Sequence, residues 1–482
     1  MSKKKTDKVI FEHITVLDAG AKGVSVAKAP EGQVIFIPNV VPGDVVDVQT
    51  FKKRKAYFEG KAIKFHSFSE NRVEPVCQHF GACGGCKWQN MKYEQQLFYK
   101  NNEVHNNLKR IGKIELPDFE PILGSEKQFF YRNKMEFGFS DTRWISEEEM
   151  NKRRAAELSG TDIHVRESES QNALGFHIPR MWDKILDIEK CHLQEDPSNA
   201  IRNSIKEFAT ENGMTFFNAR HHGGLLRTLM IRTASTGEIM VLIQFFENNK
   251  AQRELLLDFV YEKFPQITSL QYVINSKAND TLYDQDIKLY KGRDYILEEM
   301  EGLKFSINAK SFYQTNSDQA YELYKITREF ASLNGNEVVY DLYTGTGTIA
   351  QFVSKQAKKV IGVEAVPEAI ADAKENAKRN EISNCEFYVG DMKNVFNEAF
   401  IAQHGHPDVI ITDPPRDGMH KDVVEQIMKI APQKVVYVSC NSATQARDLA
   451  LMDEKYKVTR VRPVDMFPQT HHVENVVLLE RR

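Results

Sequence analysis

The chain has 482 residues, 41% hydrophobic and 27% charged, which is enough for about three domains and fits neither a disordered nor a fibrous protein. Its 64 basic and 67 acidic residues give a net charge of −3, which argues against a protein that coats nucleic acid over its whole surface. With six cysteines, too few for a disulfide framework, and no membrane-length or signal-type apolar segment, we expect a cytoplasmic protein without membrane spans.

Residues 1–66 are predicted to form a small β-barrel of the OB type. Five short apolar or alternating stretches are separated by turn residues, as in small closed barrels. The segment has 12 basic and 7 acidic residues, a net charge of +5, and its densest run is Lys52, Lys53, Arg54 and Lys55. Basic side chains beside aromatic rings favour single-stranded nucleic acid, whereas a solvated turn is the alternative. Lys52, Lys53 and Arg54 are therefore candidate RNA contacts.

A cysteine knuckle follows the barrel. Three thiols fall within ten residues, and a fourth lies far along the chain; they are Cys77, Cys83, Cys86 and Cys191. Thiolates select zinc or an iron–sulfur cluster over calcium or magnesium. One short pair, a looser third thiol and a distant fourth favour a [4Fe–4S] cluster, while zinc with His79 or His192 as a ligand is the alternative.

The remaining pattern divides the chain into a middle and a C-terminal domain. A helix is predicted over residues 91–110, and residues 129–297 mix strands and helices around a strongly charged insertion at 141–170. From residue 302, apolar strands alternate with helical segments, which indicates a parallel sheet covered by helices. We expect domains at 1–66, 67–300 and 301–482, with helix 91–110 a candidate for packing on the last.

A glycine-rich turn with three carboxylates predicts a nucleotide-type cofactor site. A strand ending at Asp341 leads into a turn with Gly345 and Gly347, and the next two strands end at Glu364 and Asp391. The turn alone fits either NAD or S-adenosylmethionine. An acidic residue before the turn suits a cationic ligand that bears an amino acid, and a third-strand aspartate suits an adenine amino group. Both features favour S-adenosylmethionine.

Two further strands end at residues that could take part in a reaction. Asp413-Pro414-Pro415-Arg416 ends one strand, and Cys440 ends the next, at the edge where such sheets bind ligands. Carbon 5 of uracil or cytosine becomes nucleophilic once a thiolate adds at carbon 6, and a base must then remove the carbon-5 proton. Cys440 is the candidate nucleophile, and the candidate bases are Glu474, His471 and His472.

Nearly the whole chain resembles the RNA uracil-5-methyltransferase family. Besides the cysteine, glycine and Asp413–Arg416 motifs, the resemblance rests on short motifs at residues 131–134, 311–316, 439–441 and 472–474. Three positions depart from the usual family pattern without removing a reacting group: Asn90, Thr344 and Ser442.

The resemblance implies a multidomain protein. The expected domains are an N-terminal OB-like barrel of the TRAM type, a central α/β domain with a [4Fe–4S] knuckle, and a C-terminal Rossmann-like methyltransferase domain. The resemblance also assigns Cys440 as nucleophile, Glu474 as base, and Asp413 to the junction of cofactor and base. Implied S-adenosylmethionine contacts are Gln314, Tyr343, Thr348, Glu364, Asp391 and Asp413, and implied RNA contacts are Arg132, Asp413 and Arg416.

These observations predict a monomeric enzyme that makes 5-methyluridine in RNA. Both the barrel and the cysteine cluster are typical of the branch that acts on 23S ribosomal RNA, with transfer RNA as the alternative substrate. A flavin- or NAD-dependent enzyme and a non-catalytic RNA-binding or maturation factor are the other hypotheses.

Overall fold

The structure is a computed structural model that describes residues 9–158 and 171–482. The last part of the predicted charged insertion, residues 159–170, lies outside the described residues. Its first part contains helix α2 (Glu147–Leu158), whose first turn holds three glutamates, a favourable arrangement at a helix N-terminus. No helix in the described ranges has the length and apolar character that crossing a membrane requires.

The N-terminal segment folds as a closed five-stranded barrel, with strand order β1-β2-β3-β5-β4. Alternate residues point into its core, as in β3, where Ile35 and Ile37 are fully buried while their neighbours are half-buried. The predicted barrel is confirmed, with longer strands than the sequence indicated. The strands are β1 (Ile10–Ala19), β2 (Ser25–Lys28), β3 (Val34–Ile37), β4 (Val45–Lys53) and β5 (Tyr57–Ser67).

The middle of the chain forms a seven-stranded sheet, ordered β12-β11-β10-β9-β6-β7-β8. Two helices, α3 (Ser198–Glu211) and α4 (Lys250–Lys263), bury Ile201, Ile205 and Leu256 against it. The strands are β6 (Lys134–Ser140), β7 (Ala173–Ile178), β8 (Met181–Asp187), β9 (Leu226–Thr233), β10 (Ile239–Phe245), β11 (Ser269–Ile274) and β12 (Lys288–Gly292).

The C-terminal part is a second seven-stranded sheet, ordered β17-β16-β15-β18-β19-β21-β20. The first five strands are parallel, and β21 runs antiparallel between β19 and β20. Because the order reverses at β15, the carboxyl ends around that strand form a crevice that suits a ligand. The strands are β15 (Val338–Leu342), β16 (Lys359–Glu364), β17 (Cys385–Val389), β18 (Val409–Thr412), β19 (Lys434–Ser439), β20 (Tyr456–Val464) and β21 (Glu474–Arg481).

Helices cover this sheet, and a hairpin precedes it. The hairpin strands, β13 (Tyr295–Met300) and β14 (Leu303–Asn308), lie on either side of residue 301 and share the sheet's core. The helices are α5 (Ser317–Ala331), α6 (Thr348–Val353), α7 (Pro367–Arg379), α8 (Met392–Val395), α9 (Glu398–His404), α10 (Lys421–Ile430) and α11 (Ser442–Met452).

Helix α1 (Tyr93–Asn107) joins the middle of the chain to the C-terminal sheet. Val104 and Leu108 are fully buried in the core that contains Tyr340, Val435 and Tyr437 of that sheet. The helix therefore packs on the C-terminal domain, although the sequence places it 200 residues earlier.

Candidate active site

Three candidate site residues, two of them catalytic, meet at the carboxyl edge of the C-terminal sheet. Cys440 directly follows β19, and Glu474 is the first residue of β21. Because Ser439 pairs with Asn475 in the antiparallel ladder, Cys440 and Glu474 are next to each other where the two strands meet. Asp413 directly follows β18, which pairs with β19 in parallel. The sheet thus brings the nucleophile candidate beside two carboxylates.

Short hydrogen bonds fix the segment that carries Cys440. The Asn441 side chain accepts from the amide N–H of Ala443 at 3.1 Å, capping helix α11, and its Nδ2 donates to the Arg416 carbonyl oxygen at 2.9 Å. The Thr444 hydroxyl also donates to the Arg416 carbonyl, at 3.2 Å. Because one side chain caps the helix and holds the neighbouring loop, the Cys440 and Arg416 segments form a single unit.

The site keeps protons on its reacting groups in the free protein. Burial, reinforced by the charges of Glu474 and Asp413, raises the pKa of the Cys440 thiol to about 11, and Arg416 partly opposes this. Burial and the neighbouring Asp413 also raise the pKa of Glu474, and burial with Asp341 raises that of Asp413. Since like charges in a buried site disfavour ionisation, Cys440 is a thiol at neutral pH.

The 465–473 loop, which leads into Glu474, is anchored to helix α1. The Lys100 ammonium lies 2.6 Å from Asp465 Oδ1, with both side chains fully buried, and donates to the Phe467 carbonyl oxygen at 3.1 Å. The Tyr93 hydroxyl donates to the other Asp465 oxygen at 2.9 Å. The Gln96 side chain bonds both the side chain and the backbone N–H of Gln469. Helix α1 therefore sets the path of the chain toward Glu474.

The segment that directly follows the cysteine knuckle (residues 77–86) contacts the same loop. The backbone N–H groups of Lys87 and Trp88 donate to the Gln469 carbonyl oxygen at 2.8 and 3.1 Å. The Tyr131 hydroxyl donates to the Pro468 carbonyl oxygen at 2.9 Å. Backbone hydrogen bonds thus connect the end of the knuckle to the loop that leads into Glu474.

Two histidines of this loop are neutral. Burial lowers the pKa of His471 to about 3 and that of His472 to about 4, and the positive charges of Lys100 and Arg416 act in the same direction. Their ring centroids are 4.1 Å apart. Imidazoles with such low pKa values are weak proton acceptors at neutral pH, so they are poorer base candidates than Glu474.

A cavity of about 520 Å³ opens beside Cys440. Helix α1 forms one wall, the two histidines and Arg416 form another, and the end of barrel strand β1 with the following turn closes it. From the barrel, Asp18 and Lys22 reach the cavity, while the basic run at 52–55 does not. The barrel therefore contributes to the walls around the nucleophile.

The glycine turn has space for a ligand above it. A Cβ added at Gly345, whose φ is +56°, would meet nothing within 4 Å, whereas one at Gly347 would lie 2.8 Å from the Phe387 ring. The Glu364 carboxylate accepts from the Gly345 N–H at 3.2 Å and the Val366 N–H at 3.0 Å. The open backbone at Gly345 and the adjacent carboxylate suit a ligand that lies on the turn.

Asp341 does not lie at the surface of the turn, where the sequence suggested a direct ligand contact. It is 1% exposed, and its Oδ2 accepts from the Thr344 hydroxyl at 2.5 Å and from the Ala350 N–H at 3.1 Å. Within residues 9–158 and 171–482, no group donates a hydrogen bond to its other oxygen. Asp341 therefore stabilises the turn from the buried side. Thr344, one of the departures from the family pattern, donates one of the two hydrogen bonds that Asp341 accepts.

Two of the other cofactor candidates, Tyr343 and Thr348, belong to this turn, while Gln314 and Asp391 lie on other segments. Tyr343 adopts a left-handed φ of +64°, and burial with the charge of Asp391 raises the pKa of its phenol to about 12. Thr348 is the buried first residue of α6, and Asp391 accepts from the Lys393 N–H at the start of α8. The Gln314 carbonyl oxygen accepts from the Asn133 amide at 2.8 Å, which joins two of the family-like motifs.

The four cysteines of the predicted cluster lie together, and their surroundings are apolar. Cys83 and Cys191 pack against Ile178, Leu186 and Ile188. Burial raises the pKa of Cys83 to about 11 and that of Cys86 to about 12. The charges of Cys77 and Cys191 add to both shifts, and that of Cys83 adds to the shift of Cys86. Among the described residues, no three of these sulfurs lie within 4.8 Å of one another.

The candidate RNA contacts of the sequence are spread over two regions. Lys52 forms an ion pair with Glu59 at 2.5 Å, Lys53 lies 5.5 Å from the Phe58 ring, and Arg54 is exposed at the turn. Arg132 lies 5.5 Å from the Phe467 ring and lines a smaller cavity of about 110 Å³. Of the predicted RNA contacts, only Arg416 lines the Cys440 cavity.

Sequence reasoning missed two side chains of this site. Burial, reinforced by the charges of Asp413, Asp341 and Glu474, raises the pKa of the Tyr324 phenol on α5. Lys100 is buried against Asp465, 365 residues away along the chain. A tyrosine on an apolar helix face and a lysine in a polar helix carry no sequence signal for such positions.

Known proteins match nearly the whole chain in sequence. Residues 279–482 match the family model described as tRNA (uracil-5-)-methyltransferase. A relative from Bacteroides thetaiotaomicron, described as an uncharacterized RNA methyltransferase, is 57% identical over 465 residues, covering 96% of this chain and 100% of the relative. A relative from Porphyromonas gingivalis with the same description is 54% identical, covering 97% and 99%.

A solved structure has a similar overall fold. The Pyrococcus abyssi tRNA (uracil-54, C5)-methyltransferase, in complex with S-adenosyl-L-homocysteine, superposes with a TM-score of 0.74 at 27% identity. The match covers 97% of this chain and 100% of that one, so it includes the barrel, the middle sheet and the C-terminal sheet.

Proposed function

The chain belongs to the RNA uracil-5-methyltransferase family and is an S-adenosylmethionine-dependent RNA methyltransferase; we propose that it methylates carbon 5 of a uridine through a covalent adduct with Cys440. The observation that carries this mechanism is the pairing of Ser439 with Asn475, which puts Cys440 beside Glu474 at the mouth of a cavity. A nucleophile next to a base is what the reaction at carbon 5 requires.

The proposed reaction balances with these two side chains. The Cys440 thiolate forms a bond to carbon 6 of the uracil, and the displaced electron pair makes carbon 5 nucleophilic. Carbon 5 takes the methyl group as its bond to the sulfonium sulfur breaks, which leaves a neutral thioether. The Glu474 carboxylate then accepts the carbon-5 proton, and the carbon 6–sulfur bond breaks to restore the ring double bond and the thiolate.

Glu474 is the base that the surroundings favour. Its raised pKa makes its carboxylate a stronger proton acceptor than an ordinary surface glutamate. His471 and His472 lie at the same cavity, but their lowered pKa values make them weak acceptors. We assign them to the walls that receive the uridine, with Arg416 and Asp413.

The turn at residues 343–348 is the proposed binding site for S-adenosylmethionine. The backbone at Gly345 is open, and the Glu364 carboxylate next to it keeps lone pairs for ribose hydroxyls. Asp391 is exposed at the end of β17 and suits an adenine amino group. Gln314, Tyr343, Thr348 and Asp413 complete the proposed contacts to S-adenosylmethionine.

We propose that Cys77, Cys83, Cys86 and Cys191 hold a [4Fe–4S] cluster. Four free thiols fit an iron–sulfur group, and their burial suits thiolates whose charge a metal compensates. A zinc site formed by the same cysteines, or by three of them with His79 or His192, is the alternative. The knuckle would then stiffen the 465–473 loop.

Two RNA substrates have support. The barrel together with the cysteine knuckle is typical of the family branch that acts on 23S ribosomal RNA, which is the substrate that we propose. Transfer RNA is the second candidate, because the Pyrococcus abyssi transfer RNA enzyme matches the same length of chain, barrel included. We further propose that the enzyme acts in the cytoplasm as a monomer.

Mapping 5-methyluridine tests this function. Ribosomal and transfer RNA from cells with and without the gene are digested and compared by mass spectrometry, with a Cys440→Ala copy as the matched control. We expect one or more uridines to lose the methyl group in the deletion and in the Cys440→Ala cells. Unchanged 5-methyluridine in both RNA classes would refute the proposed activity.

A further inference from the structure

Helix α1 turns a row of polar side chains toward the Cys440 cavity. The row consists of Tyr99, Asn102, Glu103, Asn106 and Asn107. Spacings of three and four residues place these side chains on one face of the helix. The adjacent face buries Lys100, Val104 and Leu108 against the C-terminal domain, so the helix has no freedom to rotate the row away.

The three amides of this row differ in their hydrogen bonds. Asn107 donates to the Ser442 hydroxyl at 2.9 Å, which ties the helix to the segment after Cys440. Asn102 and Asn106 are half-buried, and within the described ranges 9–158 and 171–482 the structure shows no hydrogen bond from either side chain. An amide group offers two hydrogen-bond donors and an acceptor, so both side chains can use all of these groups to bind a ligand.

The cavity has room for more than the reacting ring. Its volume of about 520 Å³ lies within the range of about 300–1,000 Å³ that accommodates whole small ligands. Glu103 stands next to Asn102 along the row, and burial raises the pKa of its carboxyl although Lys100 opposes this. The wall formed by α1 thus combines amide donors and acceptors with a carboxyl group.

On the basis of the function proposed above, we propose that α1 reads the base next to the target uridine. Asn102 and Asn106 bind the edge of one unpaired flanking base, and Glu103 accepts from its amino group. Amides pair with base edges through two hydrogen bonds, and proteins recognise single-stranded RNA by such contacts to unstacked bases. The flanking base therefore carries an exocyclic amino group, as adenine, guanine and cytosine do and uracil does not.

Methylation of RNAs with altered flanking bases tests this assignment. Transcripts of 23S ribosomal RNA and of transfer RNAs are first used to locate the uridine that the full-length enzyme methylates. The two neighbouring bases are then replaced in turn, and kcat/KM is measured for each transcript. We expect the wild-type enzyme to prefer an amino-bearing base over uracil at one position, by about 5- to 150-fold, the discrimination that a bidentate amide–base pair gives.

The variant Asn102→Ala/Asn106→Ala should lose most of that preference. Asn101→Ala is the matched control, because Asn101 is a half-buried amide of the same helix that does not line the cavity; it should retain the preference. If the alanine variant does not fold, Asn102→Asp/Asn106→Asp keeps the side-chain size and removes the amide donors. Binding of S-adenosylmethionine should be unchanged in every variant.

The outcomes separate the two proposals. No methylation of any transcript by the wild-type enzyme would refute the proposed function. Two results would refute base recognition by α1: methylation without a flanking-base preference, or a preference that persists in both double variants. Neither result would contradict the proposed methyltransferase activity.

Discussion

Replacing Lys100 by methionine tests whether helix α1 controls the segment before Glu474. The Lys100 ammonium and the Asp465 carboxylate are both fully buried and 2.6 Å apart. Removing one partner of a buried pair costs about 3–5 kcal/mol of the free energy of unfolding, because it leaves the other charge uncompensated. Methionine keeps the length and apolar stem of lysine, so the loss reports on the charge.

The remaining contacts of Asp465 decide where in that range the loss falls. Without the ammonium, the carboxylate still accepts from the Tyr93 hydroxyl at 2.9 Å and from the Phe467 N–H at 3.0 Å. These bonds retain part of its stabilisation, so we expect the lower end, about 3 kcal/mol. Neutralising Asp465 as well should recover part of the loss, so that Lys100→Met/Asp465→Asn is more stable than the sum of the single changes predicts.

Urea unfolding followed by tryptophan fluorescence measures the effect. Trp88 is 2% exposed, and the Lys100 ammonium lies 6.0 Å from its ring, so its emission reports on this region. Lys109→Met, at an exposed lysine after the same helix, is the control and should change the free energy of unfolding by less than about 0.5 kcal/mol.

Turnover gives a second readout of the same change. If Lys100 positions Glu474, kcat should fall by about 10- to 100-fold, while the KM for S-adenosylmethionine stays close to its original value because the glycine turn is untouched. A Lys100→Met enzyme with unchanged stability and unchanged kcat would refute the argument that α1 positions the base.

Four other changes have defined outcomes. Cys440→Ala should abolish methylation and leave S-adenosylmethionine binding by calorimetry intact; full turnover would exclude the adduct mechanism. Glu474→Gln should accumulate a covalent RNA adduct on denaturing gels, because carbon-6 addition proceeds while removal of the carbon-5 proton fails. Since the pKa values of Cys440 and Glu474 are raised, kcat/KM should rise from pH 6 to 9, and a flat profile would contradict a thiol ground state. Gly347→Ala should weaken cofactor binding at least tenfold, as its Cβ would lie 2.8 Å from Phe387 in a strained left-handed turn, whereas wild-type affinity would show that the turn tolerates it.

Local patterns made much of the fold predictable. Alternation of apolar residues between turn signals is enough to predict the barrel, since each strand has one buried face. Apolar strands alternating with helices predict the parallel sheet, and the position of Cys440 at a strand end then follows from the general geometry of such sheets. These inferences depend on neighbours within a few residues of each other.

Long-range contacts were beyond sequence reasoning. The burial of Lys100 depends on Asp465, 365 residues away, and a lysine in a polar helix ordinarily lies in solvent. Asp341 seemed placed for a ligand, but the Thr344 hydroxyl and the Ala350 N–H hold it inside the turn. Which residues of α1 face the cavity depends in turn on how the helix packs against the C-terminal sheet.

The protonation of the free site has a chemical consequence. Only the thiolate of Cys440 attacks carbon 6 or reacts with oxidants and alkylating agents, and burial beside Glu474 and Asp413 disfavours that form. Arg416, which is exposed at the cavity, is a positive charge that acts on Cys440 in the opposite sense. If RNA bound at the proposed site excludes water from Arg416, the attraction between the guanidinium and the thiolate becomes stronger. We therefore expect Cys440 to ionise more readily when substrate closes the cavity than in the free enzyme.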